Sequence, residues 1–200
     1  MKRKAELVLV VGINGSGKTT FIKNEIVAKS KKTLIVTPDF QEWKHLRLIS
    51  TPAEIYNLKG CARIIYEGTE TLEMIKGNFY GGNLLLDDAM SYLDQQTPKM
   101  MNYLYIRRRQ FGIDLFIVAH GLRQLPPKCF TFASWLILFD TVENFEVRKK
   151  ELLPDLFNRI VTAQRNIKKK VVTGNPYHKE IILLDTQIKG LHEARRKTRQ

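Results

Sequence analysis

Leu7-Val8-Leu9-Val10-Val11-Gly12-Ile13-Asn14-Gly15-Ser16-Gly17-Lys18-Thr19-Thr20 is the stretch whose reading decides the fold. An apolar run of strand length enters a glycine-rich turn, and an amphipathic stretch begins at Lys18. Gly12 to Thr19 fits G-x-x-x-x-G-K-[ST] at every position, and it lies between strand and helix as that pattern requires. The glycines let backbone wrap an anion closely and take conformations that a Cβ forbids. The amides of Gly15 to Thr19 are expected to point inward at a helix N-terminus, where the dipole favours negative charge. Gly12, Asn14, Gly15, Ser16, Gly17, Lys18, Thr19 and Thr20 are therefore the candidate phosphate cradle of a nucleotide such as ATP. Lys18 is expected to reach the β- and γ-phosphates, and the Thr19 hydroxyl to ligate Mg²⁺.

A phosphate-bound metal needs a second acidic partner. Leu84-Leu85-Leu86-Asp87-Asp88 supplies one: a strand apolar on both faces, as in the middle of a parallel sheet, ending in two carboxylates. Strand C-termini open into the ligand crevice of such sheets. Asp87 is thus the candidate Mg²⁺ ligand, and Asp88 the group that polarises the attacking water. His120 ends another apolar strand, Leu115–Ala119, where a polar side chain can meet the γ-phosphate or the water.

Short apolar runs alternate with amphipathic stretches over the rest of the chain, which predicts parallel strands joined by helices. Strands are expected at Glu6–Val11, Thr33–Thr37, Arg63–Glu67, Asn83–Leu86, Asp114–Ala119 and Ser134–Phe139. Helices are expected at Lys18–Ala28, Glu54–Leu58, Thr69–Lys76, Pro98–Phe111 and Asn144–Leu153. After Pro154 the pattern predicts a helix over Asp155–Ala163, then a β-hairpin over Val171–Asp185 around Gly174-Asn175-Pro176. A basic tail runs from Lys189 to Gln200. The organisation is a core over residues 1–153, with residues 154–200 as a C-terminal helix, hairpin and tail in the same domain or a small appendage.

The 200 residues suit one α/β domain, and a composition 44% hydrophobic and 26% charged is too apolar for a disordered chain. The formal net charge of +13 points to a polyanionic partner. Lys and Arg neutralise phosphates without reading sequence. Arg165, Lys168, Lys169 and Lys170, with the tail residues Arg195, Arg196, Lys197 and Arg199, are the candidate contacts to that polyanion. No apolar run reaches the roughly 20 residues of a membrane span, and the basic start lacks a small-residue cleavage site, so no secretory signal is expected. Cys61 and Cys129 offer neither a disulfide framework nor metal-ligand spacing, consistent with a reducing, cytoplasmic setting.

The phosphate loop alone names no reaction. A Leu-Ser-Gly-Gly signature before Asp87 and a Thr-Lys-x-Asp guanine reader are both missing from the sequence, which excludes transporter-type ATPases and targeting GTPases. Arg107-Arg108-Arg109-Gln110-Phe111-Gly112-Ile113-Asp114-Leu115-Phe116-Ile117-Val118-Ala119-His120 resembles a stretch of the FtsK–HerA superfamily of DNA-pumping ATPases, in which a basic helix end and Gly-Ile precede the strand carrying a polar sensor. Gly121 to Pro127 is similar to that family's post-sensor loop. Thr37-Pro38-Asp39-Phe40-Gln41-Glu42-Trp43 is similar to its acidic-aromatic turn after the second strand, and the segment after Trp135–Phe139 to the one after its last core strand. The resemblance covers about Leu7 to Leu153. The small size looks like the genome-packaging ATPases of membrane-containing and large DNA viruses.

The resemblance implies a RecA/FtsK-like P-loop NTPase fold, with a mostly parallel sheet sandwiched by helices. It implies a ring of five or six subunits around DNA, hydrolysing ATP with Mg²⁺ to package a viral genome. It places Arg109 as a finger inserted into a neighbour's site, with Arg108 and Arg107 next in line. His120 becomes the sensor, with Gln124 four residues on sharing its duty. A capsid or portal-vertex protein is a further implied partner, and the host cytoplasm or the virion the setting. Two departures stand: many relatives carry Asp-Glu where Asp87-Asp88 stands, and Gln or Asn where His120 stands. A slowly turning nucleotide-gated DNA-binding or virion protein, and a small nucleotide kinase, remain as rivals.

Overall fold

In the computed structural model, residues 5–92 and 98–184 are described. Eight strands form one sheet: β1 (Leu7–Val11), β2 (Lys32–Thr37), β3 (Arg47–Leu48), β4 (Gly60–Ile65), β5 (Gly82–Leu86), β6 (Ile113–Ala119), β7 (Trp135–Leu138) and β8 (Glu180–Leu183). Their order across the sheet is β3-β4-β2-β5-β6-β1-β7-β8. All neighbours pair in parallel except β7 and β8, which are antiparallel. The α/β class and the mostly parallel sheet are as the sequence predicts.

The helices are α1 (Lys18–Phe21), α2 (Pro52–Tyr56), α3 (Thr69–Asn78), α4 (Pro98–Phe111), α5 (Pro127–Phe132) and α6 (Pro154–Val172). After one turn α1 runs on as a π-helix over Ile22–Val27. Alternation along the strands divides the core in two. Leu7, Leu9 and Val11 of β1 join α2 through α6 on one face, whereas Val8 and Val10 meet Ile22, Ile26 and Trp43 on the other. The helix layers on both faces make the sandwich, thick on one side and thin on the other. Every strand interior near the centre is apolar on both faces, as burial between two layers demands.

Two expectations need correction. The hairpin over Val171–Asp185 does not form. Val171 and Val172 belong to α6, whose buried stripe Leu156, Phe157, Ile160, Ala163 and Ile167 keeps its helical spacing one turn beyond Ala163. Gly174 (φ 96°) ends that helix, so Gly-Asn-Pro is a helix stop and not a hairpin turn. The strand that follows pairs instead with β7, Ile182 opposite Leu136. The helix expected over Asn144–Leu153 is a 3-10 turn at Phe145–Arg148. The short edge strand β3 was not foreseen.

Candidate functional site

Five adjacent strands, β2, β5, β6, β1 and β7, end on one side of the sheet, and the segments leaving them build the site. Gly12 follows β1; its amide donates to the Ala119 carbonyl, and the Ile13 amide to that of Asp140. A Cβ on Gly12 would meet Phe139 Cβ at 2.5 Å and Ser16 Oγ at 2.7 Å, so only glycine lets the loop pass β7 so closely. Gly17, with φ 96°, turns the loop into α1. The Ser16 hydroxyl donates to the Ile13 carbonyl at 2.7 Å and closes the loop from inside.

The Lys18 ammonium is buried beneath this loop and donates to the Gly12 carbonyl at 2.5 Å and to that of Ile13 at 2.9 Å. Burial lowers its pKa, and the nearby carboxylates of Asp87, Glu42 and Asp88 pull the other way. A cation among three acids, under a loop of amides, is suited to a polyphosphate carrying its own metal ion. Thr19 and Thr20 follow on α1, half-buried and exposed respectively; Asn14 and Gly15 are exposed at the loop's tip.

Asp87 leaves β5 with its amide bound to the Val36 carbonyl and its side chain almost fully buried. Burial raises its pKa to about 6; Glu42 and Asp88 push the same way, while the Trp43 indole and Lys18 oppose. The indole Nε1 of Trp43 donates to Asp87 Oδ2 at 2.7 Å. Immediately before it in the chain, Glu42 Oε1 accepts from the Thr19 hydroxyl at 2.6 Å. The turn that carries both is set by Asp39, whose Oδ1 accepts from the amides of Gln41 (2.6 Å) and Glu42 (3.3 Å), the local turn that Asp favours. In the sequence Glu42 and Trp43 belong to the acidic-aromatic turn, and no motif there assigns either a task. Their signal was an acid next to an aromatic at a strand's C-terminal end.

The donor set fits Mg²⁺. Thr19 and Asp87 would supply a hydroxyl and a carboxylate, hard oxygen donors that would leave further positions to phosphate and water, as this ion prefers. Among the described residues no cluster of three or more His, Cys, Asp or Glu is arranged to hold a metal by itself.

Asp88 has φ 57°, a conformation that costs a non-glycine residue of order 1–3 kcal/mol and is typical of functional turns. It turns the carboxylate toward β6, where its Oδ1 lies 4.0 Å from His120 Nε2. Gln124 is also at hand: its Oε1 accepts from the His120 amide at 2.7 Å. The loop beyond is braced by Glu143, which accepts from the Leu122 and Arg123 amides, and by the buried Arg148, which donates to the carbonyls of Leu122 (2.9 Å) and Leu125 (2.7 Å). Neither brace was anticipated from sequence.

The arginine triplet divides. Arg108 is buried and donates to the carbonyls of Tyr105 and Phe132 (the latter at 3.0 Å), a structural role. Arg107 is exposed and bonds Gln110. Arg109 is exposed at the C-terminal end of α4, just before β6. That is the opposite end of the sheet from its own phosphate loop, a strand length of roughly 20 Å away at about 3.3 Å per residue. Arg165, Lys168, Lys169 and Lys170 are all exposed on the last turns of α6; Arg195, Arg196, Lys197 and Arg199 lie outside the described residues.

Two clefts border α1 and its π-helical continuation. One of about 420 Å³ adjoins the loop, between Gly17, Thr20, Phe21, Asn24, Phe139, Tyr177 and Lys179. Tyr177 arrives there from the segment between α6 and β8, near enough that a Cβ on Gly17 would lie 3.0 Å from its ring. The other, about 580 Å³, lies at the N-terminal ends of the strands beside Lys29, Lys32 and Gly112. Ligands of open α/β sheets bind at the other end, where the loop is.

Loop, strand order and acid together define the fold of a P-loop NTPase, with the His120 strand lying between the loop strand and the Asp87 strand. The sequence matches no protein-family model and no curated protein. Among solved structures the fold is similar to the genome packaging NTPase B204 from Sulfolobus turreted icosahedral virus 2 in complex with AMP: TM-score 0.69 and 20% identity over 92% of this chain and 94% of that one. The same protein in complex with ATP-gammaS gives 0.67 and 21% over 92% and 94%. B204, the DNA-packaging ATPase from Sulfolobus turreted icosahedral virus, gives 0.70 and 18% over 94% and 96%. At such identities the fold is what is held in common.

Proposed function

We propose that this chain is a Mg²⁺-dependent ATPase that moves DNA, packaging a viral genome as a ring of five or six subunits. The observation that carries the reading is the convergence of Lys18, Thr19 and Asp87 on one strand-end crevice, in a fold similar end to end to a genome packaging NTPase. Gly12, Asn14, Gly15, Ser16 and Gly17 wrap the phosphates, Thr20 guides the α-phosphate, and the base and ribose enter the cleft walled by Phe21, Phe139 and Tyr177. On nucleotide binding Lys18 exchanges the Gly12 and Ile13 carbonyls for phosphate oxygens. Thr19 and Asp87 would hold the metal ion, which would supply neutralisation of charge on the phosphates. Asp88 orients the attacking water, and His120, 4.0 Å from it and backed by Gln124, couples the γ-phosphate's presence to the braced loop behind.

Arg109 faces away from its own site, so in a ring it serves the neighbour's, where such fingers contribute about 10³–10⁵ in rate. The exposed basic end of α6, with Arg195, Arg196, Lys197 and Arg199, tracks DNA backbone without reading sequence. A capsid or portal-vertex protein completes the machine, in the host cytoplasm or on the virion. No helix among the described residues is long and apolar enough to cross a membrane.

Phosphate release with and without duplex DNA, beside a native mass, tests the reading. Stimulation by DNA that fades with salt, in an assembled ring, is expected. Equal rates at low salt would refute translocation, and a phosphorylated acceptor in place of free phosphate would make the chain a kinase.

A further inference from the structure

The turn after β2 bears on the metal site in a way that the phosphate loop and the Asp87 strand do not explain. A threonine hydroxyl has one hydrogen and two lone pairs, and it ligates a cation only with a lone pair. Left to rotate, the Thr19 hydrogen can face the metal position as readily as away from it. Here the hydrogen is committed to Glu42 Oε1 at 2.6 Å, which leaves the lone pairs for the crevice. Asp87 is committed likewise: the Trp43 indole, a donor that can never accept, holds Oδ2 at 2.7 Å and leaves Oδ1 for a ligand.

Trp43 is fully buried in the core cluster beneath α1, and the turn is further tied by Arg63, whose guanidinium donates to the Phe40 carbonyl at 2.6 Å. Two consecutive residues therefore each hold one of the metal's protein ligands, from a turn anchored in the core. We propose that Glu42 and Trp43 form a clamp that orients Thr19 and Asp87 for Mg²⁺, Glu42 acting as a positioning residue and not as the base. The proposal rests on the nucleotide-site reading above. Outer partners of this kind typically change metal affinity by about 10–100-fold when removed.

The test is calorimetric binding of a non-hydrolysable ATP analogue to the full chain, in excess chelator and across a Mg²⁺ titration, with Mn²⁺ resonance spectra as a direct count of bound ion. Glu42→Ala, which removes a carboxylate beside Lys18, should bind the metal-free analogue at least as tightly as the native chain does, yet need about 10-fold or more Mg²⁺ to tighten it further. Glu42→Gln keeps an acceptor oxygen for Thr19 and should recover most of the loss. Trp43→Phe should shift the same titration; if it does not fold, the Glu42 pair decides alone. Equal weakening with and without metal would make the turn mere packing and overturn the clamp. An unchanged Mg²⁺ titration with lost turnover would overturn it too, and make Glu42 the base. A native chain that binds no analogue in chelator or Mg²⁺ would overturn the nucleotide reading along with it.

Discussion

Removing a charge from the centre of the site should stabilise the empty protein. Asp87 sits almost fully buried, and burial above all raises its pKa from 3.8 to about 6. In the unfolded chain the same carboxyl titrates near 3.9. Below about pH 4 both states hold the proton and the group contributes nothing to pH dependence. Between about 4 and 6 the native state keeps a proton that the unfolded state has lost, so stability falls as pH rises; above 6 the penalty is complete. At about 1.4 kcal/mol per unit, a shift of about two units corresponds to a penalty on the order of 3 kcal/mol. Asp87→Asn removes it while its amide oxygen still accepts from the Trp43 indole. For a chain of this size the gain corresponds to roughly 6–12 °C in Tm. Thermal melts without nucleotide or metal, at pH 3.5 and pH 7.5, make the comparison. The variant should melt well above the native chain at the higher pH and beside it at the lower. Equal melting at pH 7.5, or the same difference at both, would refute the burial argument. The variant should also lose the further stabilisation that Mg²⁺ with ATP gives the native chain.

Lys18→Ala should cut phosphate release by at least about 10²-fold, the usual loss on removing one preorganised charge-stabilising donor, while circular dichroism stays native. Arg109→Ala should be inactive alone but regain turnover when mixed with Lys18→Ala subunits; no recovery in any mixture would make Arg109 ordinary surface. Lys168→Glu with Lys169→Glu should lower the slope of log affinity for DNA against log salt by about 0.9 per lost phosphate contact, and an unchanged slope would move the DNA path off α6. Gly12→Ala drives a Cβ against Phe139 and Ser16 and should cost about 1–3 kcal/mol of stability together with nucleotide binding; a variant that melts and binds like the native chain would show that the loop can yield.

What was legible in the sequence is what short-range pattern encodes. Leu7 to Thr20 declares strand, loop and helix because the apolar run, the glycines and the Lys-Thr pair are contiguous. Leu84–Asp87 and Leu115–His120 declare buried strands ending in polar groups for the same reason. The C-terminal segment misled because Val171, Val172 and the Gly-Asn-Pro stop carry β-like local signals, whereas α6 is held by a stripe burying Phe157, Ile160 and Ile167 against the sheet. Tertiary burial overrode local propensity there. Arg108 resembles its two neighbours in sequence, whereas its burial and its bond to the carbonyl of Phe132 on α5 mark it as internal.

The same division explains why Glu42 and Trp43 escaped notice. A residue that binds phosphate must lie on the loop that wraps it, so its motif is local. A residue that aims a ligand need only arrive beside it, from any strand whose C-terminal end faces the crevice. β2 and β1 are separated in the sheet by β5 and β6, yet the turn after β2 brings Glu42 back to Thr19 on α1 and Trp43 to Asp87. No spacing in the sequence can encode that return, because it depends on the strand order. The sheet thus supplies two kinds of information: each strand end carries its own chemistry, and the order of the strands decides which of those chemistries meet. If Glu42→Ala leaves the Mg²⁺ titration untouched, strand order would bring these groups together only to pack, and the metal's geometry would rest on the phosphate loop and β5 alone.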